Sequence, residues 1–429
     1  MFLCSFLKPR TISGKNERMN IVIVTQLFET LEDNGSDRLL FFSKALVTKG
    51  HQVKIITGNF DYKAVCKRFD SKGKVVKEVE GIDVVYVPVY SNIRGSYFRR
   101  FLFFISFIVS CFRELMISAR TADVIWAIST PLTVPFVCAI VSKIKKVPMV
   151  SEITDVWPDA AVHSGIVKNR FVIGLAKIME LFCYRRSKKI ICLTKGIQQN
   201  IVGKGVHAFK TCLVTNGIDV DLFNNLGFSN SSDLKASLGL DKKFVAMYLG
   251  AHGKYNSLDT IIDAAINLRH VGSIVFIFVG DGQQKAHLER LVIDEQLDNV
   301  LFHPPVKRSY APEMLSIADC FLLPNLAGDF FKGNLPNKVF DYLASSRPII
   351  VTGRVESASL VEEIKAGFVV DAENSHQLSE VVRKVSELTV SERDLIGARG
   401  ADYVRNHFNR EQHFDDILCV LESAVSDGQ

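Results

Sequence analysis

Apolar residues gather in short, nearly unbroken runs, and between the runs they are spaced as on helices. In the first half the runs fall at 21–25, 53–57, 84–87, 124–128, 149–153 and 190–194. In the second half they fall at 245–249, 274–279, 300–302, 320–323, 349–351 and 368–370. A run that is apolar at every position, rather than at every second one, suits a strand covered on both faces, as in a parallel sheet. Helical patterns between the runs predict βαβ units. The pattern occurs twice, so the predicted fold is α/β with two doubly wound, Rossmann-like domains. Active sites of such sheets lie beyond the carboxyl ends of the strands, and two of them facing each other make a cleft.

Asn216-Gly217, within VTNGIDVD, is a turn signal between the two sets of runs, and the hinge is expected near 205–220. The domains are accordingly expected at 19–205 and 206–410, with a last helix at about 411–426. Residues 1–18 precede Met19, where the first strand begins at once. Lys8 and Arg10 follow a short apolar start, which reverses the charge order of a signal peptide, so a disordered extension is expected.

A chain of 429 residues that is 48% hydrophobic and 23% charged is globular and long enough for two cores. Its nine cysteines include no CxxC pair, which argues against a disulfide framework or a zinc site and for a reducing cytosol. Residues 1–200 hold 30 Lys and Arg against 16 Asp and Glu, net +14; the remainder holds 22 against 30, net −8. The basic half suits an anionic bilayer surface or a diphosphate lipid. Nucleic acid is not expected as a partner, because no aromatic-basic recognition pattern accompanies the charge. The run at 101–112, FLFFISFIVSCF, is shorter than the roughly 20 residues of a membrane span, and Arg99, Arg100 and Arg113 flank it. It reads equally as a core helix or as a helix lying in one leaflet.

The most informative segment is 324–351, PNLAGDFFKGNLPNKVFDYLASSRPIIV. A loop with Gly328, Gly333 and Asn334 feeds a helix expected to begin near Pro336, with Lys338 and Asp341 three residues apart on one face. The first amides of such a helix have no intrahelical partner and sit at the positive end of its dipole, so they can hold a phosphate while Lys338 adds a formal charge. Asp341, one turn in, is placed to accept hydrogen bonds from sugar hydroxyls. Gly35-Ser36, about ten residues after the first strand, is a second place where backbone can approach a diphosphate or an acceptor. Asp155 follows the strand at 149–153, at the cleft end, where an acidic group can orient or partly deprotonate an acceptor hydroxyl. Asp159 and His163 are weaker candidates beside it. Lys254 stands in the loop after the strand at 245–249.

Read together, these motifs resemble the GT-B glycosyltransferases of family 4. The pattern P-x-K-x-x-(E/D)-Y-x-A-x-x-x-P-(I/V) is met by Pro336, Lys338, Asp341, Tyr342, Ala344 and Pro348. Around it stand LVTNGIDVDLF at 213–223, YLGAHGK at 248–254, FVGDGQQ at 278–284 and IADCFLLP at 317–324, with GHQVKIIT and EITDVWPDAA earlier in the chain. The resemblance implies a retaining, metal-independent enzyme. Its second domain would bind a nucleoside diphosphate sugar, by family preference a uridine one, and its first the acceptor; the last helix would cross back onto the first domain. The DVWPDA variant is similar to the branch that adds N-acetylfucosamine-type sugars to lipid-linked O-antigen or capsule intermediates at the cytoplasmic membrane.

The chain departs from the pattern at three positions. Gly333 stands where the family has a Glu that touches donor-sugar hydroxyls, which moves that contact to backbone amides from Gly333 to Leu335 or to Asn334 and Asn337. Asp341 keeps the ribose role that the resemblance implies, one methylene shorter. Ala251 and Asn256 replace the Arg and Lys found near the donor phosphates, leaving Lys254. The triplet Asp219-Val220-Asp221 evokes a metal site, but it falls in the interdomain turn, where Asp219 is expected to brace the linker. A sugar-nucleotide 2-epimerase and a non-catalytic scaffold fit the same architecture. A nicotinamide oxidoreductase also fits alternating βα units, but its GxGxxG is absent after either leading strand.

Overall fold

The computed structural model describes residues 18–33, 35–61, 66–92, 97–163, 167–224, 231–328 and 332–426; the expected extension falls outside them except for Arg18. The first half runs β1 (Asn20–Val24), α1 (Arg38–Thr48), β2 (Gln52–Gly58), β3 (Val75–Val79), β4 (Ile82–Val87), α2 (Tyr97–Ser118) and β5 (Val124–Ile128). It continues through α3 (Thr133–Lys145), β6 (Met149–Ile153), α4 (Asp159–His163), α5 (Arg170–Arg186), β7 (Lys189–Cys192), α6 (Lys195–Gly203) and β8 (Thr211–Leu213). The second half runs α7 (Val220–Asn224), α8 (Ser231–Ser237), β9 (Phe244–Leu249), α9 (Asp259–Asn267), β10 (Ile274–Val279), α10 (Lys285–Asp294), β11 (Val300–His303), α11 (Ala311–Ser316) and β12 (Cys320–Leu323). It ends with α12 (Asn337–Ala344), β13 (Ile349–Thr352), α13 (Glu356–Glu363), β14 (Gly367–Val370), α14 (Ser375–Glu387), α15 (Val390–His407) and α16 (Arg410–Ser426).

The strands form two sheets, ordered β3-β4-β2-β1-β5-β6-β7-β8 and β11-β10-β9-β12-β13-β14. All pairs are parallel except β3 with β4. The continuous apolar runs have a direct packing reason, visible in β1. Ile21 and Ile23 point to a core closed by α1 and α16, while Val22 and Val24 point to the opposite core under α2 and α3. The second sheet repeats the arrangement: Val245 and Met247 face one core, Ala246 and Tyr248 the other. Phe414, Ile417, Leu421 and Ala424 of α16 are buried in the first sheet's core, so the chain ends on the half where it began.

Two edge strands are not predicted from the runs. In β3, Val76, Lys77 and Glu78 are exposed, and a strand covered on one side only shows no unbroken apolar run. β8 is three residues long at the far edge.

Helix α2 is longer than the run that predicted it, and it has two faces. Phe103, Phe107, Cys111 and Leu115 are buried in the sheet core, while Phe98, Phe101, Ile105 and Val109 are exposed. Burying each such Phe stabilises the fold by roughly 1.5–3 kcal/mol. The stretch Phe101–Ser118 is long and apolar enough to cross a membrane by length and composition, yet one side of it is packed on the sheet. One face of the helix is therefore core, and the opposite face is exposed.

Candidate active site

The carboxyl ends of the two sheets face each other across a cavity of about 1070 Å³. One wall comes from the first half, with Ser36 and Arg38 at the start of α1 and Thr154, Asp155 and Trp157 after β6. The other wall is the loop 332–337 leading into α12, with Tyr255 and Asn256 from the loop after β9. Among the residues singled out from sequence, Ser36, Asp155, Gly333, Asn334, Leu335 and Asn337 line the cavity. Gly35, Lys254, Lys338 and Asp341 do not.

Asp155 Oδ2 accepts from Thr130 Oγ1 at 3.5 Å, and the Thr130 and Thr154 hydroxyls touch. Asp155 is exposed to the cavity, and the nearness of the cleft walls shifts its pKa upward, against which the Thr130 hydroxyl works. A carboxylate with a raised pKa is a better proton acceptor than an ordinary one. At the start of α1, the Ser36 amide donates to Glu29 Oε2 at 3.0 Å. A Cβ on Gly35 would overlap the same carboxylate, so Glu29 stands where the sequence suggests an anionic ligand.

The loop before α12 is tied to the sheet. Asn334 Nδ2 donates to Asn325 Oδ1 at 2.7 Å, and buried Asn325 in turn donates to the carbonyls of Leu323 and Thr352. Leu335 is buried in the core, and Asn337 opens α12 at the cavity wall. Gly333 lies backbone to backbone against Gly196 at the start of α6. A Cβ on Gly333 would come 2.9 Å from the Gly196 Cα, and one on Gly196 would come 2.6 Å from the Gly333 Cα. The position at which the family carries Glu is thus pressed against the opposite half of the protein. Beside it, Glu356 of α13 accepts from the Lys195 and Gly196 amides at 3.4 Å each, so a carboxylate of one half sits at the helix start of the other.

Lys338 and Asp341 bond to different partners, although they sit one turn apart. Lys338 Nζ donates to the Tyr248 hydroxyl at 2.6 Å and lies 4.2 Å over its ring. Gly250, with φ +154°, leaves room for it, since a Cβ there would be 2.8 Å from Nζ. Burial lowers the Lys338 pKa to about 7. Asp341 instead accepts from both Nη atoms of Arg308, at 2.8 and 2.9 Å. Arg308 Nε also reaches Asp37 Oδ1 at 3.3 Å, and Arg410 Nη1 lies 2.9 Å from the same oxygen. Two aspartates and two arginines from both halves and from α16 thus form one buried, neutral network. Burial works to raise the Asp37 pKa, but Arg410 and Arg308 outweigh it and hold the carboxyl below its ordinary value. Around this network Arg308 and Ser309 donate backbone hydrogen bonds to the Asp33 and Leu31 carbonyls, and Lys307 pairs with Glu32 at 2.6 Å. Asp341, for which the resemblance implies a ribose contact, is held in a two-pronged ion pair with Arg308.

Lys254 is exposed, outside the cavity wall that its neighbours Tyr255 and Asn256 form. Asp219 Oδ1 accepts from the Asp221 and Leu222 amides and so caps α7. Asp159 pairs with Lys204 at 2.8 Å. Arg38, Arg308, Arg410, Gly196 and Glu356 carry no motif that would have marked them. Their importance lies in partners far away in sequence.

The second half, residues 230–401, matches the family described as Glycosyl transferases group 1, and residues 38–217 match the Glycosyl transferase 4-like domain. In sequence the chain is similar to WcaI of Escherichia coli (strain K12), a glycosyl transferase provisionally assigned to colanic acid biosynthesis, at 26% identity over 72% of this chain and 76% of that one. In structure it is similar to Anabaena Alr3699/HepE in complex with UDP and glucose, with TM-score 0.73 and 16% identity over 95% of this chain and 100% of that one. It is also similar to WaaG, a glycosyltransferase involved in lipopolysaccharide biosynthesis, with TM-score 0.66 and 15% identity over 94% and 98% of the two chains. With glycosyltransferase domains matched in both halves and the GT-B fold spanning them, the chain is a glycosyltransferase composed of a glycosyl transferase 4-like domain followed by a group 1 domain.

Proposed function

We propose that this glycosyltransferase moves a sugar from a uridine diphosphate sugar, releasing UDP, to a hydroxyl of a lipid-diphosphate-linked saccharide in surface polysaccharide synthesis. The observation that carries the reading is the cavity between the two sheets, with a carboxylate of raised pKa on one wall and the glycine and asparagine loop before α12 on the other. Asp155 would orient the acceptor hydroxyl. The amides and side chains at 333–337, with Lys338 behind them, would hold the donor, and bringing the two together supplies most of the catalysis. Support for the donor comes from HepE, whose structures hold UDP and UDP-glucose. Support for a surface polysaccharide comes from WcaI and WaaG. Retention of configuration, metal independence and an O-antigen or capsule product with an N-acetylfucosamine-type sugar belong to the same proposal.

A peripheral site on the cytoplasmic face of the membrane completes it. The exposed stripe of α2 is matched on α5 by Phe171, Val172, Leu175 and Ile178, all exposed, with Lys168, Arg170 and Lys177 beside them. Helix α3 packs against both, so the two stripes lie on one face of the sheet. Apolar side chains rimmed by lysine and arginine suit an anionic leaflet, where each basic residue adds roughly 1 kcal/mol.

Mass spectrometry of products after offering a panel of sugar nucleotides and lipid-linked acceptors, with and without EDTA, tests the reaction. Transfer that survives EDTA is expected; absence of transfer from every donor sinks the reading. Vesicle flotation tests the membrane part. Serine at Phe101, Ile105, Phe171 and Ile178 should release a folded protein from anionic vesicles, whereas serine at Phe103 or Phe107 should damage the fold.

A further inference from the structure

Buried polar atoms in folded proteins are nearly always paired, and a cluster of unpaired ones in one cavity points to something that completes the set. The lining of the cavity holds four: Asn200 Oδ1, on a half-buried residue, and three on buried residues that form its floor. Trp126 Nε1, Glu152 Oε2 and Asn216 Oδ1 have no hydrogen-bond partner among the described residues. All three residues line the same cavity, and their exposures are 0%, 3% and 8%.

Their placement is built rather than accidental. Trp126 pairs in register with Val150, and Glu152 stands two residues further along β6, so both side chains leave the same face of neighbouring strands. Glu152 cannot turn freely, because Arg38 Nε donates to its Oε1 at 3.0 Å. Arg38 is itself fixed by the Thr215 and Val214 carbonyls and by the Phe42 ring, 4.7 Å from its guanidinium. One carboxylate oxygen is therefore held and the other left over. Asn216 follows β8 in the turn that leads to the second half.

The chemistry of the three atoms defines the ligand. Two are acceptors and one is a donor; Glu152 is already paired with Arg38, and the wall after β6 adds a further acid, Asp155. Such a floor repels phosphate. It matches hydroxyl groups, which donate to Glu152 and Asn216 and accept from the Trp126 N–H. We infer that this floor is a hydroxyl-binding subsite for the acceptor saccharide, in which Trp126, Glu152 and Asn216 hold the sugar whose reacting hydroxyl lies at Asp155. The inference rests on the reading of this cavity as the glycosyl-transfer site and adds the residues that select a neutral sugar over the diphosphate.

The chain has two tryptophans, Trp126 and Trp157, and both line the cavity, so its own fluorescence reports on occupancy. In the Trp157→Phe chain Trp126 is the sole indole. Methyl glycosides of glucose, galactose, N-acetylglucosamine and N-acetylfucosamine would be titrated into it, with and without UDP, while calorimetry follows UDP itself. At least one glycoside should change the Trp126 emission saturably. Asn216→Ala and Glu152→Gln should each weaken that glycoside by about tenfold, with UDP affinity unchanged. If Glu152→Gln loses its fold because Arg38 is left uncompensated, Asn216→Ala, which touches no ion pair, decides. Absence of a saturable change with every glycoside, or equal affinity in the variants, overturns the inference and leaves the three atoms to ordered water. Failure of UDP to bind would strike the donor reading instead, and the glycoside titration would still judge the floor.

Discussion

The two halves of the protein meet along two seams made of opposite materials. One is charge: Asp37, Arg308 and Arg410, all buried, and half-buried Asp341, with backbone hydrogen bonds from Arg308 and Ser309 around them. The other is backbone: Gly196 against Gly333, with the Glu356 carboxylate at the start of α6. A buried ion network is directional, and each member depends on the others, since removing one leaves a desolvated charge behind. A glycine contact has little attraction of its own. It sets how close the halves come by having no side chain, and the cavity lies beside it. The first seam therefore governs whether the halves hold together, the second how near they come.

The largest expected effect belongs to the charged seam. Arg308→Ala leaves Asp37 with one cation and Asp341 with none, and should lower stability by about 3–5 kcal/mol, read from the denaturation midpoint. A midpoint near that of the unaltered chain would show that the network contributes nothing net.

Gly333→Glu restores the residue type of the family pattern but drives a side chain into Gly196. Transfer should fall on the order of 100-fold, because small misplacements of reacting groups cost that much, while UDP affinity changes little. If the variant instead gains activity, the seam opens readily and position 333 faces the sugar.

Asp341→Asn separates the two views of that residue. The network predicts a loss of stability of about 1.5–3 kcal/mol, the range for a hydrogen bond to a charged group, with UDP affinity nearly intact. Weaker UDP binding at unchanged stability would return Asp341 to the ribose.

A pH dependence isolates Lys338 from both seams. Its folded pKa, about 7, lies below the ordinary 10.5, so between these values the unfolded chain binds the extra proton and stability should rise with pH. The contribution is least favourable below pH 7 and fully relieved above 10.5. Denaturation at several pH values should show this rise in the unaltered chain and a smaller one in Lys338→Met; identical slopes would place the lysine in water.

The sequence by itself determined the two sheets and the side of them that faces a ligand. Strands packed on both faces must be apolar throughout, as β1 and β10 are, and that requirement is local enough to read directly. The loop before α12 and Asp155 were legible for a related reason: the chemistry of a helix start or a strand end is carried by neighbours in the chain. Edge strand β3, half exposed, left no such mark. Only the tertiary structure decided what the side chains meet. Helical spacing places Lys338 and Asp341 side by side, yet one turns to Tyr248 and the other to Arg308, 33 residues earlier. Asp37 finds Arg308 across 271 positions, and Glu356 reaches the Lys195 amide across 161. Gly333, which looks like a lost functional group in the sequence, is one of the places where the two halves touch. Ion pairs and steric contacts between distant segments depend on how two sheets face each other, and no periodicity along the chain encodes that.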